Sequence, residues 1–361
     1  MNVVGARPNF MKIAPIVRAM EKYDNLQNIL VHTGQHYDER MSKLFFDDLQ
    51  MPKPEVYLDV GSASHAVQTA RIMVEFEKVL IKEKPDMVVV VGDVNSTVAC
   101  SMVAVKMGIK VAHVEAGLRS FDRRMPEEIN RLLTDAISDF LFVTEQSGLD
   151  NLKKEGIPEE KVHFVGHVMI DSLIHFTEKA KESNIMGQLN LDHQDYALVT
   201  LHRPSNVDSK ENFTNLLNAF EEIEQNIKII FPIHPRSRKM IDTFGLRDKI
   251  AKMKNLQLLE PLGYLDFMNL MHHSKFLLTD SGGIQEETTY LGIPCITMRE
   301  NTERPVTVDV GTNILVGSNT ELIKKEAKNI LDGNGKKGQI PELWDGKAAE
   351  RIVKILANEL S

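Results

Sequence analysis

The sequence predicts two doubly wound α/β domains that face each other across a cleft. Short apolar runs rich in β-branched residues alternate with longer stretches of helical period, which is typical of a parallel sheet covered by helices on both faces. This pattern stops at a polar stretch and then restarts, so it indicates two separate sheets. The 361 residues are sufficient for two domains of ordinary size.

Six apolar runs predict the strands of the first domain: residues 1–4, 26–32, 87–91, 109–114, 140–144 and 162–165. Helical stretches such as 64–83 and 95–107 separate most of these runs. We therefore place the first domain at residues 1–177.

Five further runs predict the second sheet: residues 197–201, 227–233, 256–259, 276–279 and 295–297. Residues 178–194 are polar and without strand character, so they are predicted to link the domains. The second domain is placed at residues 195–345. The amphipathic segment 346–361 is a candidate for a helix that docks back on the first domain.

The composition indicates a cytoplasmic globular protein. With 43 Lys+Arg and 51 Asp+Glu, the chain carries a net charge of −8 and has no basic run, which argues against nucleic acid or a membrane as partner. The cysteines Cys100 and Cys295 lie in apolar context, as buried thiols of a reducing compartment do. The N-terminus does not resemble a signal peptide, and the longest purely apolar run, residues 87–91, is too short to cross a bilayer.

Ligands of doubly wound sheets bind beyond the carboxyl ends of the strands, so polar residues directly after apolar runs are site candidates. After the first run, Arg7 and Lys12 stand near a predicted helix N-terminus, where they could meet an anion. The turn is not Gly-x-Gly-x-x-Gly and gives no support for NAD. Two solvated basic side chains are the alternative.

Three acids form the second group of candidates. Asp93 and Glu115 end consecutive predicted strands, which usually lie about 5 Å apart. Both acids would then stand on one rim, where a carboxylate pair either shares a proton or is offset by cations. An N-cap role is the alternative for Asp93. Glu127 and Glu128 lie in a predicted first helical turn, where the helix dipole alone favours acids.

The second half repeats the arrangement with basic residues. His202 with Arg203, and His234 with Arg236, each follow a buried run and together resemble an anion site. The spacing does not match a zinc site. One such histidine alone would more often be structural.

The strongest pattern is Thr279-Asp280-Ser281-Gly282-Gly283-Ile284-Gln285-Glu286-Glu287. A buried strand runs into a turn of small residues and then a helix, whose free N–H groups with the Ser281 hydroxyl predict a phosphate cradle. Glu287, about one turn further, could accept hydrogen bonds from ribose hydroxyls. Arg304 could add positive charge. A plain glycine-rich turn with a capping serine is the alternative.

Read together, these segments resemble the non-hydrolysing UDP-N-acetylglucosamine (UDP-GlcNAc) 2-epimerases, which have two Rossmann-like domains of the glycosyltransferase-B-like fold. The resemblance spans nearly the whole chain in order. It rests on Gly5-Ala6-Arg7-Pro8 with Lys12, Gly92-Asp93, His113 to Arg119, Pro126 to Arg131, His202-Arg203, Ser281 to Glu287, and Thr302-Glu303-Arg304-Pro305.

The resemblance implies interconversion of UDP-GlcNAc and UDP-N-acetylmannosamine by a homodimer that needs no metal or nicotinamide. It implies that Asp93, Glu115 and Glu127 are the catalytic carboxylates, assisted by His202. The residues that it assigns to the UDP part, with His234 added from the anion site, are Arg7, Lys12, Phe267, Ser281, Gly282, Gly283, Glu287 and Arg304. Leu262 matches a uracil-contacting position by spacing only, so its contact would be through the backbone.

The chain also departs from the family pattern. Ala6 and Asn9 flank Arg-Pro where the family often has Thr and Glu, and Val94 stands where Thr often follows Gly-Asp. Members activated by a second UDP-GlcNAc contact it with two glutamines three apart. Gln35 matches the first, but Asp38 occupies the second position, which argues against allosteric activation.

Three other functions fit parts of this pattern. A hydrolysing 2-epimerase would release UDP and free N-acetylmannosamine, and a glycosyltransferase would pass the sugar to an acceptor. A nucleotide-sugar-binding regulator without turnover explains the phosphate cradle but gives the three acids no role. The products formed from UDP-GlcNAc alone separate these four functions.

Overall fold

The computed structural model describes residues 1–34 and 52–361, and for Arg7 it describes the backbone alone. The chain divides into two compact units. The first unit consists of residues 1–175 together with 342–361, and the second consists of residues 176–341. Each unit is built on its own sheet.

The first unit holds a 7-stranded sheet with parallel pairing throughout. Its strands are β1 (Asn2–Val4), β2 (Leu30–His32), β3 (Val56–Tyr57), β4 (Met87–Val91), β5 (Lys110–Ala116), β6 (Phe140–Val143) and β7 (Val162–Phe164). Their spatial order is β3-β2-β1-β4-β5-β6-β7, so the order reverses between β1 and β4. This reversal is the switch point at which doubly wound sheets form ligand sites.

Helices connect these strands. They are α1 (Arg7–Met20), α2 (His65–Glu83), α3 (Asn95–Lys106), α4 (Pro126–Ile137), α5 (Gln146–Lys154) and α6 (Val168–Lys181), whose last residues belong to the second unit. Helices α1 and α4 begin at or next to a proline, whose fixed φ and missing N–H suit a first turn. Ser64 caps α2 by accepting from the Val67 N–H.

The second unit holds a 6-stranded sheet, again with parallel pairing throughout. Its strands are β8 (Tyr196–Thr200), β9 (Lys228–Pro232), β10 (Leu256–Leu259), β11 (Phe276–Thr279), β12 (Cys295–Thr297) and β13 (Asn313–Leu315). The order β10-β9-β8-β11-β12-β13 places the switch point between β8 and β11.

Its helices are α7 (Ile185–Gln188), α8 (Pro204–Val207), α9 (Lys210–Ile223), α10 (Pro235–Phe244), α11 (Arg247–Lys252), α12 (Tyr264–His273), α13 (Gly282–Leu291), α14 (Pro305–Asp309) and α15 (Thr320–Leu331). The core lies between these helices and the sheet, where Phe220 of α9 meets Phe231 of β9 edge to face at 6.4 Å. Both rings are fully buried.

The predicted boundary between the domains needs correction. Residues 178–194, expected to link them, belong to the second unit and include α7. The Asn269 side chain fixes this segment, donating to the carbonyls of Ala180 at 2.8 Å and Ser183 at 3.2 Å. A polar segment can be part of a domain when its carbonyls have hydrogen-bond partners elsewhere in that domain. The polarity of the segment itself does not indicate such partners.

The C-terminal segment belongs to the first unit. Trp344 is buried and donates its indole N–H to the Thr144 carbonyl at 3.0 Å. The Asp171 carboxylate accepts from the first N–H groups of α16 (Ala348–Glu359), at Ala348 and Ala349. The Asp171 carboxylate of α6 therefore caps the N-terminus of α16. Among the described helices, none is long and apolar enough to cross a membrane.

Candidate active site

The turn after β1 is tied to the end of β4 by Asn9. Its side-chain oxygen accepts from the N–H groups of Gly5 at 3.3 Å and Ala6 at 3.0 Å, and its amide donates to the Val91 carbonyl at 3.1 Å. Asn9 therefore occupies the N–H groups that an anion at this turn would need. A side chain on Gly5 would collide with Ser96, so the turn also requires glycine for close packing.

Lys12 lies on the first turns of α1 and reaches Glu115. Its ammonium is 2.5 Å from the Glu115 carboxylate, and both side chains are buried. The sequence assigns Lys12 to the UDP part and Glu115 to catalysis. The structure brings them together as an ion pair, so the cation that offsets this acid is Lys12.

Glu115 stands on a distorted strand end. The register of β5 against β6 shifts between Val114 and Ala116, and Glu115 has φ +71°, a left-handed conformation uncommon for a residue with a side chain. Such bulges re-aim a side chain out of the regular alternation of the strand. The strain at Glu115 is of the kind that clusters at functional sites.

Asp93 follows β4, which pairs with β5 as the sequence predicts. Its partly exposed carboxylate is paired with Arg131, and its backbone carbonyl accepts from Asn130 at 2.9 Å. Val94, and not Asp93, is the N-cap of α3, and no side chain there caps the helix. The alternative structural role of Asp93 as the cap is therefore absent.

The two glutamates of α4 have different environments. Glu128 is buried and accepts from the N–H groups of Ser120 and Phe121, both at 2.9 Å, and from Arg131 at 2.6 Å. Glu128 is therefore the structural member, which fixes the loop before α4. Glu127 is half-buried, and its carboxylate has no hydrogen-bond or ion-pair partner within residues 1–34 and 52–361.

Asp280 organises the switch point of the second unit. It is fully buried after β11 and accepts from the N–H groups of His202 and Arg203 after β8, the latter at 2.8 Å. Asn206 donates to it at 3.2 Å. Burial alone would raise the pKa of Asp280, but these hydrogen bonds, above all that of the His202 ring, hold its pKa below the usual value.

The two predicted histidines lie side by side. The His202 ring nitrogen Nδ1 is 3.0 Å from Asp280, and the ring centroids of His202 and His234 are 5.6 Å apart. Desolvation and the neighbouring His202 lower the pKa of His234, whose Nδ1 accepts from the Arg236 N–H. The His202 ring is thus held by Asp280, and the lowered pKa of His234 favours its neutral form. The buried Nε of Arg203 finds no partner in the described part of the chain.

The glycine-rich turn has one closed and one open side. Ser281 is the N-cap of α13, yet its hydroxyl makes no capping bond to the described helix N–H groups. A methyl group on Gly282 would stand 2.9 Å from the Glu303 carboxylate and 3.2 Å from the Arg304 guanidinium. A methyl group on Gly283 would meet no described atom within 4 Å. The open side at Gly283 therefore admits a ligand to the helix N-terminus.

Acids and bases surround this turn. Arg304 pairs with Glu286 and with Glu303, the latter at 2.7 Å, so its charge lies beside Gly282 but is shared with two acids. Glu287 is buried and accepts from the Tyr264 hydroxyl at 3.0 Å. Tyr264 begins α12, the helix that also carries the half-buried Phe267. Leu262 lies in the loop just before it.

Some predicted residues cannot be placed, and others were missed. Gln35 and Asp38 lie outside the described residues, and so does the side chain of Arg7. The sequence did not single out Asp280, although an acid directly after a buried strand is the same signal that marked Asp93. No group of three potential metal ligands occurs among the described residues.

Two doubly wound parallel sheets, with an open helix N-terminus at one switch point and strand-end acids at the other, define an α/β enzyme of two Rossmann-like domains. The chain belongs to the UDP-N-acetylglucosamine 2-epimerase family, whose sequence profile matches residues 18–357. The predicted family resemblance is thereby confirmed.

Known relatives cover almost the full length of the chain. UDP-N-acetylglucosamine 2-epimerase from Methanocaldococcus jannaschii is 48% identical over 98% of this chain and 97% of that protein. UDP-2,3-diacetamido-2,3-dideoxy-D-glucuronate 2-epimerase from Pseudomonas aeruginosa is 41% identical over 99% of each chain. The structure of the M. jannaschii UDP-GlcNAc 2-epimerase in complex with UDP-GlcNAc and UDP matches with a TM-score of 0.91 and 46% identity over 99% of each chain.

The Asp280 network generates a prediction about acid stability. The folded-state pKa of Asp280 is lowered, so its ionised carboxylate stabilises the fold at pH values above the unfolded pKa of about 3.9. This stabilisation is lost as the pH falls through the folded-state pKa. Asp280→Asn should lower the free energy of unfolding by about 1–3 kcal/mol at pH 7. The difference from wild type should shrink below about pH 4.

Urea unfolding at a series of pH values measures this difference, with Asp332→Asn at an exposed site as the matched control. A constant difference between Asp280→Asn and wild type down to pH 3 would contradict the ionised, hydrogen-bonded role of Asp280.

Proposed function

We propose that this protein interconverts UDP-GlcNAc and UDP-N-acetylmannosamine without a metal or nicotinamide cofactor. The observation that carries the proposal is the combination of an open glycine turn at Gly283 with strand-end acids in a member of the 2-epimerase family. The M. jannaschii relative, whose solved complex holds UDP-GlcNAc and UDP, supports the choice of substrate.

The second unit is assigned to the UDP part. The helix N-terminus at Ser281–Gly283 offers free N–H groups and a hydroxyl to the diphosphate, and His202, His234 and Arg304 add positive charge or hydrogen-bond donors. Glu287, held by Tyr264, accepts from the ribose hydroxyls. Phe267 and the backbone of Leu262 are assigned to the uracil, and Arg7 and Lys12 to the diphosphate.

The chemistry at C2 favours elimination. The C2 proton is not acidic, because C2 is not next to a ketone, and the chain shows no nicotinamide motif for oxidising a neighbouring hydroxyl. A base can take the C2 proton while the C1–O bond to UDP breaks. The C–H electron pair becomes the C1=C2 bond of 2-acetamidoglucal, and the C1–O pair leaves with UDP. Re-addition of UDP to C1 with protonation of the other face of C2 gives the epimer.

This route needs acid–base groups on both faces of the ring and a cradle that retains UDP. Asp93, Glu115 and Glu127 are assigned to the acid–base work. Glu127 supports this assignment because its carboxylate is half-exposed and has no ion-pair partner in residues 1–34 and 52–361. His202, held by Asp280, is assigned to stabilising charge on the leaving diphosphate.

The active protein is proposed to be a homodimer. Val67, Val74 and Ile81 of α2 are exposed at 43%, 56% and 59%, and they recur every seven residues along one face. Ala70 and Glu77 lie between them at the intermediate positions of the same face. This row of exposed apolar residues, interrupted by Glu77, has the spacing of a seam that packs against the same helix of a second copy.

A cytoplasmic location is proposed from the cysteines. Cys100 and Cys295 are both free and buried, and burial raises the pKa of each thiol. Two buried thiols without a disulfide suit a reducing compartment.

The open side of the turn at Gly283 predicts that a substitution there weakens UDP binding without lowering the stability of the fold. Gly283→Ala should leave the unfolding midpoint unchanged or slightly higher, because alanine favours a helix and the added methyl group meets no described atom within 4 Å. It should weaken UDP at least ~10-fold, about 1.4 kcal/mol, by filling the ligand side. Calorimetry with UDP and thermal unfolding measure the two effects. Wild-type affinity would place the diphosphate elsewhere.

The same site predicts two further losses of UDP affinity. Ser281→Trp should block the cradle, and Glu287→Ala should weaken UDP by about 1.5–3 kcal/mol through a lost hydrogen bond to a charged group. Tyr264→Phe is the matched control, because it keeps the Glu287 carboxylate and should cost less affinity. The site is elsewhere if calorimetry shows Ser281→Trp and Glu287→Ala binding UDP as wild type does.

Elimination predicts the isotope content of the product. During turnover in D₂O, deuterium should enter C2, UDP-N-acetylmannosamine should appear, and free UDP should stay minor. Asp93→Asn, Glu115→Gln and Glu127→Gln should each lower turnover by ~10²-fold or more, because each removes an acid–base group. NMR of the products measures the deuterium at C2, the UDP-N-acetylmannosamine formed and the free UDP.

Other outcomes of this experiment select other functions. Retention of the C2 hydrogen excludes elimination, and stoichiometric UDP with free N-acetylmannosamine indicates the hydrolysing class. Binding without turnover indicates a regulator. The P. aeruginosa relative acts on UDP-2,3-diacetamido-2,3-dideoxy-D-glucuronate, so turnover of that sugar alone would replace the proposed substrate.

The α2 seam predicts the oligomeric state. Val74→Glu combined with Ile81→Glu should convert the dimer to a monomer, because two charges would be buried in the seam. Light scattering after size exclusion measures the mass. Ile340→Glu, at an exposed apolar position of the second unit, is the control and should stay dimeric. A wild-type monomer, or a double variant that remains dimeric, would contradict this interface.

A further inference from the structure

The buried His113 ring lies between the two strand ends that carry Asp93 and Glu115. Its Nδ1 is 2.6 Å from the Asp135 carboxylate of α4, and its Nε2 is 2.8 Å from the Gly92 carbonyl at the end of β4. His113 and Asp135 have no exposed side-chain surface. The sequence analysis included His113 in a motif without giving it a role.

The geometry defines the protons of this ring. A carbonyl oxygen can only accept a hydrogen bond, so Nε2 donates to Gly92. Burial by itself would raise the pKa of Asp135, but His113 and the nearby Arg119 hold that pKa below its usual value, so Asp135 is ionised and Nδ1 also donates. The His113 ring therefore bridges the Gly92 carbonyl and the Asp135 carboxylate, so both of its nitrogens have a hydrogen-bond partner in the core.

Asp135 continues the bridge to the other strand end. Its second oxygen accepts from the Gly117 N–H at 3.0 Å and pairs with Arg119 at 2.7 Å. Arg119 in turn makes a two-pronged pair with the partly exposed Glu155. One buried pair of side chains therefore fixes backbone at Gly92 and at Gly117.

These two backbone positions lie next to Asp93 and close to the strained residue Glu115. Gly92 has φ +68° directly before Asp93, and Gly117 has φ +80° two residues after Glu115, which itself has φ +71°. Strained backbone persists only where its surroundings fix it. No other side chain in the described residues hydrogen-bonds to either the Gly92 carbonyl or the Gly117 N–H.

We propose that His113 and Asp135 are positioning residues for the epimerisation, which fix the Asp93 turn and the Glu115 bulge in their reactive arrangement. This proposal rests on the proposed function for its catalytic consequence. The two residues act through the backbone and do not contact the sugar.

Three variants separate the arms of the bridge. His113→Asn keeps an amide donor near the position of Nδ1 and loses the Gly92 arm, whereas His113→Gln reaches the Gly92 carbonyl and loses the Asp135 arm. Asp135→Asn removes the charge that holds both His113 and Gly117. Glu155→Gln is the matched control, because it weakens the outer pair with Arg119 and leaves the bridge intact.

The expected result is a loss of kcat of about 10–100-fold in the three bridge variants, the scale of a misplaced catalytic group, with KM for UDP-GlcNAc and affinity for UDP changed less than threefold. In D₂O, the ratio of C2-deuterium in recovered UDP-GlcNAc to that in UDP-N-acetylmannosamine should also change, because the acids on the two faces no longer keep their spacing. Glu155→Gln should match wild type in every measurement.

Two results overturn the proposal. One is wild-type kcat and wild-type deuterium ratio in all three bridge variants. The other is a fall in kcat that equals the fall in folded fraction, with the ratio unchanged, because the role would then be stability alone.

Amide hydrogen exchange over residues 113–119 distinguishes failure of the positioning from failure of the proposed function. If the wild type has no epimerase activity, the proposed function is wrong. Faster exchange at 113–119 in the bridge variants, but not in Glu155→Gln, would then still support the bridge, and unchanged exchange would overturn it as well.

Discussion

A parallel sheet covered by helices on both faces leaves the strand ends as its natural places for polar side chains. All five residues of β4 are buried, so the first position at which that strand can present a charged group is Asp93. The same constraint places Asp280 after β11 and His202 after β8. Because parallel strands end on the same edge, the polar groups within each sheet lie close together without any further design of the sequence.

Convergence alone would bring like charges together, and the structure pairs several of these acids with cations. Glu115 has Lys12, Asp93 and Glu128 share Arg131, and Asp135 has Arg119. Most of these pairs are buried, where an unpaired charge would be far more costly than in water. The pairs therefore offset the cost of burying these charges in the fold, whatever each acid does in catalysis.

The strand–helix alternation was predictable because it depends on local periodicity, and the strand-end rule found Asp93, Glu115, His202 and Ser281. The sequence did not predict β3 and β13, which have two and three residues. Of these five residues, Asn313 alone is buried. Such short strands form because a neighbouring edge is available, and that is a tertiary cause. The bulge at Glu115 and the pairing of Lys12 also escaped, since both depend on contacts far apart in the chain.

The charge pairing bears on how an acidic chain can accept an anionic nucleotide. With a net charge of −8, unpaired acids at a strand end would repel a diphosphate. Lys12 and Arg131 offset the charges of Glu115 and Asp93, whereas the second unit keeps N–H donors available at the Gly283 turn. The ion pairs lower the repulsion that these acids would exert on a diphosphate, and the free N–H groups of the helix N-terminus would attract one. The proposed elimination and re-addition would need both features, because UDP must stay bound between the two steps.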